Sequence, residues 1–430
     1  MNASTPTVYP ARWGVLLTYA LAALVLQLQW LTFAPIARTA TLALGVEQFD
    51  IDLLSLVFMG VFVVACIPAS WFLDRFGLRA GVGLGALFLG VFGLMKGLVA
   101  DNYTLLVVAQ LGLALSQPLI INAATKLAAQ WFPIAERATA VGIATLSQFI
   151  GIIVVMMVTP ALVDVDATRQ AAAALVDVDA TRQAAAALVD ATAARPDLGP
   201  MLMIYGAISA AVAVLVLLVL REKPPTPPSA EPTGERLMTF AGIRHMLGLR
   251  DMRLVMGLYF VGLGVFNAVS TCIDLLCAKN NLNVDETGLV GGLMFITGII
   301  GAAILAPMSD KMRKRKPFLV LAMALTTVAL ALLALADGFL LLVIGSGVLG
   351  FFLLGAGAPV GFQYAAEVSY PTAESMSQGI ILLTGQISGI LFIVGINVLG
   401  MGPFMWLFVG LAALATLFAV LLRESPRLQP

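Results

Sequence analysis

Phe132-Pro133-Ile134-Ala135-Glu136 is followed twelve residues later by Gln148, then by Gly151-Ile152. Tyr370-Pro371-Thr372-Ala373-Glu374 is followed at the same spacing by Gln386, then by Gly389-Ile390. The offsets 371 − 133, 374 − 136 and 386 − 148 all equal 238, so the two stretches are copies within one chain. Each reads as a loop and a helix start, with Pro and then Glu where the positive end of the helix dipole favours an acid. Each then enters a long apolar helix whose glutamine lies about 12 residues, or ~18 Å, inside. The hydrocarbon of a bilayer is about 30 Å thick, so that depth is near its middle. A duplicated chain with a matched polar residue at mid-depth in each half reads as a membrane transporter.

Composition agrees. Of 430 residues, 60% are hydrophobic and 11% charged, and the mean hydropathy is +0.99. A soluble domain is about one quarter charged, so lipid solvates this chain. A net charge of +0 argues against nucleic acid as a partner. Cys66, Cys272 and Cys277 lie in or beside apolar runs without metal spacing and read as small buried thiols. The only histidine, His245, falls in a loop, which leaves no intramembrane imidazole for haem iron. No Walker A loop, nucleophile–base pair or metal cluster is visible, so neither catalysis nor a cofactor or metal is expected. The first apolar run is too long for a cleaved leader.

Twelve apolar segments are long enough to span, near 13–38, 51–73, 80–100, 103–127, 138–162, 201–221, 252–278, 287–308, 318–336, 338–363, 378–400 and 402–423. The expected fold is an all-α membrane protein of two pseudo-symmetric six-helix halves, 1–221 and 251–430. They are joined by a linker, 222–250, that is Pro-rich and then amphipathic from Leu237 to Leu249. With both termini cytoplasmic, 18 of the 24 Lys and Arg residues fall in inner loops, the pattern that basic residues follow in a plasma or bacterial inner membrane. The outer loop 163–200 carries a 13-residue tandem repeat: Ala161 to Ala173 recurs unchanged at 174–186. Its Asp164, Asp166, Asp177 and Asp179 read as a tolerated insertion or as an ion or partner site.

Asp74-Arg75-Phe76-Gly77-Leu78-Arg79, between the second and third segments, matches the D-R-x-G-x-R signature of the major facilitator superfamily. A weaker counterpart, Asp310-Lys311-Met312-Arg313, sits at the same place in the second half, since 310 − 74 = 236. Chemically, an acid on a short turn can meet a helix N-terminus or an arginine of the other half and release it as the halves rock. Asp74, Arg75, Arg79, Asp310, Arg313 and Glu367 are therefore candidate gating residues; the alternative is that the bases only enforce topology and that Glu367 has a local partner.

Polar side chains inside lipid are costly, so they are candidates for the cavity. Gln148 and Gln386 lead, as equivalents on duplicated helices, against the reading that each glues neighbouring helices. Gln27, Gln29 and Trp30 lie slightly outward of mid-depth in the first segment, and Asn267 lies at a depth similar to Trp30 in the seventh. Asp274, the most deeply embedded acid of the second half, is a possible proton or cation coupling residue.

At these residues the chain resembles the FLVCR-like transporters, solute carrier family 49. The resemblance rests on Gln29-Trp30, Leu54 to Met59, Pro68 to Arg79, Trp131-Phe132, the Gln148 helix and Gly361 to Pro371. It implies a uniporter-like carrier of choline and related amines, with haem export also claimed for the family. It also implies a cage in which a Trp and a Tyr enclose the quaternary ammonium while two glutamines contact its polar end. The Trp falls on Trp30 and the glutamines on Gln148 and Gln386, but the Tyr position falls on Asn267, so one aromatic face is missing. The expectation is a monomer in the lipid bilayer that moves choline or another small organic cation by facilitated diffusion and alternating access. Its solute contacts would be Trp30, Gln29, Gln148, Asn267 and Gln386. A proton-coupled exporter of drugs or metabolites, and a receptor or sensor without flux, are the alternatives.

Overall fold

The computed structural model describes residues 9–133, 136–163, 197–226, 240–370 and 374–424. Every regular element among them is a helix, and twelve helical spans are long and apolar enough to cross a membrane. Spans 1 to 6 are Ala11–Leu44, Gln48–Phe76, Leu78–Leu98, Tyr103–Trp131, Thr139–Leu162 and Gly199–Val219. Spans 7 to 12 are Arg250–Thr271, Val284–Met312, Lys316–Ala334, Phe339–Val368, Ser377–Leu399 and Met401–Leu421. Large apolar side chains such as Leu218 and Val398 are exposed around the bundle, as expected where the solvent is lipid. The tandem repeat from Asp164 onward, linker residues 227–239, Ile134-Ala135 and Pro371 to Ala373 lie outside the described residues. The linker helix appears at Phe240–Gly248.

The duplication is visible in how spans begin. Span 2 opens with a capping box between Glu47 and Asp50, and span 8 opens with one between Asn283 and Glu286. The starts differ by 283 − 47 = 236, the same offset as Asp74 and Asp310. Reciprocal bonds of this kind satisfy two otherwise orphaned N–H groups. Span 2 ends at Gly77, whose φ of +91° suits a residue without a Cβ. At span 5 Glu136 stands at the N-cap position, at the helix start where the sequence reading put it. Its side chain makes no cap hydrogen bond; the carboxylate reaches span 1 and pairs with Arg12 at 3.0 Å.

Two acids that follow spans 6 and 12 seat on the N-terminus of another span. Glu222 accepts hydrogen bonds from the backbone N–H groups of Leu78 (2.9 Å) and Arg79 (2.7 Å) at the start of span 3. Glu424 accepts them from Arg315 (2.7 Å) and Lys316 (3.3 Å) at the start of span 9. Both belong to a Leu-Arg-Glu triplet, Leu220 to Glu222 and Leu422 to Glu424, a repeat the sequence reading passed over. Carboxylates at these orphan donors favour the helix start, so Glu222→Ala is expected to destabilise by about 1 kcal/mol. Thermal unfolding of the detergent-solubilised protein would measure this.

Spans 1–6 pack chiefly among themselves, as do spans 7–12. The two sets meet where span 2 lies against span 11 and span 5 against span 8. Two spans bend away from expectation. Span 1 stops being α-helical after Trp30, makes one 3-10 turn at Ala34–Ile36 and resumes at Ala37–Leu44. Span 7, expected to run through 278, stops at Thr271, and a short helix, Ile273–Ala278, follows. These breaks carry Arg38 and Asp274 toward each other at the end of the bundle away from the chain termini, here the loop face.

Candidate functional site

Close backbone approach brings the glutamine helices to the centre. A Cβ on Gly151 would lie 2.2 Å from the Leu24 carbonyl oxygen, so only glycine lets span 5 rest on span 1 there. One turn away, Gln27 Nε2 donates to Gln148 Oε1 at 2.9 Å. The second half repeats half of this arrangement. A Cβ on Gly389 of span 11 would press on Asn267 Nδ2 of span 7 (2.8 Å) and on Met59 Sδ of span 2 (3.0 Å). Asn267 Nδ2 donates to the Gly385 carbonyl at 3.1 Å.

The difference lies in Gln27. Trp30 and Asn267 differ by 267 − 30 = 237, and the same step from Gln27 reaches Gly264, which has no side chain to offer. Gln386 Oε1 is buried without a hydrogen-bond partner, while Gln148 Oε1 has one. A buried orphan acceptor is expensive. Gln386 Oε1, like Gln27 Oε1 in the first-half pair, thus keeps an acceptor free for a solute donor.

Trp30 sits at the boundary between the two sets of six. Asp52, Ser55 and Met59, at i, i+3 and i+7, share one face of span 2. Asp52 on that face accepts from Asn397 Nδ2 of span 11 at 2.8 Å, and Met59 lies against Gly389 of the same span. Trp30 Nε1 donates to the Ser55 carbonyl at 3.3 Å, so its indole lies along this boundary face, with only 4% of its surface exposed.

Gln29 is corrected. One residue back, its amide turns into the first half, where Nε2 donates to Ser209 Oγ (2.8 Å) and to the Tyr205 carbonyl (3.2 Å) of span 6. It serves the packing of spans 1, 3 and 6.

The candidate gates are also redistributed. Asp74 pairs with Lys126 of span 4 at 3.2 Å, within its own half, and Arg75 and Arg79 are exposed. Asp310 and Glu367 converge on Arg315, a residue not singled out from the sequence, while Arg313 is exposed at the end of span 8 with φ +50°. Burial opposes the charge on Arg315, and the two carboxylates outweigh that and raise its guanidinium above the ordinary range. At the terminal face the pairs Arg12–Glu136, Lys126–Asp74, Arg315–Asp310 and Arg315–Glu367 each stay within one set of six.

At the loop face, by contrast, the ties cross. Arg38 gives its backbone N–H (2.6 Å) and Nε (2.9 Å) to the Asp274 carboxylate, which also pairs with Nη2 at 2.7 Å, and Nη2 reaches the Leu282 carbonyl. Asp52 takes Asn397 from the other half, and Cys272 Sγ lies 3.7 Å from the same carboxylate oxygen. Asp274 and Arg38 thus tie the two halves together at the loop face. The sequence reading missed Arg38, Asp52 and Asn397. Arg38 was legible as a base outside the inner loops, but only the break in span 1 shows what it meets.

The pattern of the Major Facilitator Superfamily matches residues 15–279 and 267–430. The chain belongs to the major facilitator superfamily. Over 405 residues it is 29% identical to Solute carrier family 49 member A3 of Danio rerio, covering 90% of this chain and 78% of that one. Over 393 residues it is 27% identical to the Choline/ethanolamine transporter FLVCR2 of Homo sapiens, covering 89% and 70%. The fold matches a bacterial homologue of the human lysosomal transporter Spinster with a TM-score of 0.69 at 17% identity, covering 96% and 97%. A D-xylose–proton symporter gives a TM-score of 0.69 at 13% identity, covering 97% and 99%. The chain is thus a multi-pass membrane transporter of the major facilitator type that resembles the FLVCR-like branch, and it is not an enzyme.

Proposed function

We propose that this transporter moves choline or a related organic cation by facilitated diffusion, with the solute held between the halves by Trp30, Gln148, Asn267 and Gln386. The observation that carries the reading is the orphaned Oε1 of Gln386, on the residue that follows the Gly385 carbonyl bonded by Asn267 of span 7. The likeness to relatives named as choline/ethanolamine transporters supports it. Such a site compensates a cation with a π face and amide oxygens instead of a counter-ion. The terminal face, rich in Arg and Lys, is the cytoplasmic side in this reading.

Radiolabelled choline uptake into proteoliposomes tests it. Saturable uptake is expected, and Trp30→Ala is expected to lower it about tenfold, the value of a desolvated cation–π contact near 1.4 kcal/mol. No saturable flux of choline or any other amine, or flux indifferent to Trp30→Ala and Gln386→Leu together, would overturn it. Absence of flux of every solute tried would favour the receptor reading.

One observation favours a proton-coupled second reading. Asp52 is buried and receives hydrogen bonds from Gln48, Asn397 and Cys272, and no base lies within ion-pair distance among the described residues. This shifts the candidate coupling acid from Asp274, which a guanidinium holds, to Asp52. Uptake that follows an imposed pH gradient in the native protein and ignores it in Asp52→Asn is the expected result of that reading; uptake indifferent to the gradient in both removes it.

A further inference from the structure

Span 1 ends its first helix directly after Trp30, in the interior of the bundle. An ending α-helix leaves its last four carbonyls without intrahelical partners, and within a bilayer no bulk water replaces them. Here each has one. Gln27 O receives Leu31 N–H at 3.2 Å, and Leu28 O receives Thr32 Oγ1 at 2.8 Å. Gln29 O receives Lys96 Nζ at 3.2 Å and Gln110 Nε2 at 3.4 Å, while Trp30 O receives Ser55 Oγ at 3.4 Å.

Lys96 is the unusual member of this set. Its side chain, on span 3, is 1% exposed, and no carboxylate lies within ion-pair distance among the described residues. Besides Gln29 O, Nζ meets Gln29 Oε1 at 3.2 Å and Thr32 Oγ1 at 3.0 Å, and it stands 4.8 Å from the centre of the Phe33 ring. Three oxygens and a π face match the three donors of an ammonium, which has no acceptor to offer. The negative end of the Ala11–Trp30 helix dipole takes the place of a counter-ion. Successive residues on a helix point about 100° apart. Gln29 is drawn toward Lys96 on span 3, and this turns Trp30 toward Ser55 on span 2.

We propose that Lys96 is a positioning residue for the candidate site: its ammonium seats the broken end of span 1 and thereby sets the indole of Trp30 at the boundary between the halves. The proposal rests on the reading that Trp30 touches the solute, and its test keeps the two apart. Lys96→Met keeps the length and apolar stem of the side chain and deletes the donors and the charge. The emission of Trp30, isolated as the difference between each protein and its Trp30→Phe counterpart, is read in detergent with acrylamide as quencher and needs no solute. In Lys96→Met the Trp30 emission is expected to shift to the red, with quenching at least about doubled as the indole leaves its slot. In proteoliposomes the KM for choline is expected to rise about tenfold, with kcat changing less, because the loop-face tie is untouched. Thr32→Val, a milder loss at the same break, is expected to move both readouts in the same direction and serves where Lys96→Met does not fold. Lys96→Arg, which keeps charge and donors, is expected to recover part of the Trp30 signal. Unchanged Trp30 emission and quenching in Lys96→Met and Thr32→Val overturn the proposal. A changed Trp30 signal with an unchanged KM for choline upholds the positioning role and instead refutes the reading that Trp30 touches the solute.

Discussion

Arg38→Met is expected to unlatch the loop face, and to do so more severely than Asp274→Asn. The two partners are unequally buried: the Asp274 side chain is 1% exposed, against 35% for Arg38. Removing Arg38 strands a carboxylate that water does not reach, whereas removing the charge of Asp274 leaves a guanidinium that is still partly hydrated. Breaking a buried pair by deleting one partner costs about 3–5 kcal/mol. Moving a two-state equilibrium from 1:99 to 99:1 takes about 5.5 kcal/mol, so that cost covers more than half of such a shift. Cys272 and Cys277 provide the measurement. Both thiols are buried beside the latch in the native protein and are expected to resist a membrane-impermeant maleimide. In Arg38→Met they are expected to label rapidly, and in Asp274→Asn more slowly. Equal protection in all three proteins would mean that the pair does not hold the face closed.

Gly151→Ala is expected to be the most damaging conservative change at the candidate site. The new methyl would lie 2.2 Å from Leu24 O and 3.1 Å from Leu24 Cα, both backbone atoms that no rotamer change moves aside. Relief requires spans 1 and 5 to separate, with overpacking costs of about 1–3 kcal/mol. The same separation stretches the bond between Gln27 and Gln148, now 2.9 Å, so solute handling should fall with stability. Gly142, on the same span, has nothing within 4 Å of its would-be Cβ, so Gly142→Ala is the matched control. Thermal unfolding and choline uptake of the two variants make the comparison. A Gly151→Ala protein as stable and active as Gly142→Ala would contradict this packing.

The fold was legible because duplication writes each element twice. The 238 offset that pairs Gln148 with Gln386 also pairs Gly151 with Gly389, and spans read from apolar length fall within a few residues of the helices. Side-chain direction was less legible. Gln29 and Trp30 are neighbours in sequence, yet one is clamped inside the first half and the other lies at the boundary. Depth in the bilayer cannot separate them; only the partners on spans 2, 3 and 6 do. Arg38 and Lys96 were visible as bases outside the inner loops. What they do depends on the interruption of span 1 between Leu31 and Ile36, which the sequence marks only by Pro35. Glu222 and Glu424 were there to be found in the repeated Leu-Arg-Glu triplet.

The central claim is that a solute site on spans 1, 5, 7 and 11 is exposed to one side at a time by rocking of the two halves. Asp101, between spans 3 and 4, and Asp337, between spans 9 and 10, are exposed at the loop face in opposite halves and suit paired spin labels. The distance between them, measured in lipid with and without choline, tests the claim most directly. One short distance is expected without solute, and choline is expected to populate a second, longer one that Gln386→Leu abolishes. A single distance that choline leaves unchanged, in a protein that still transports it, would contradict the account.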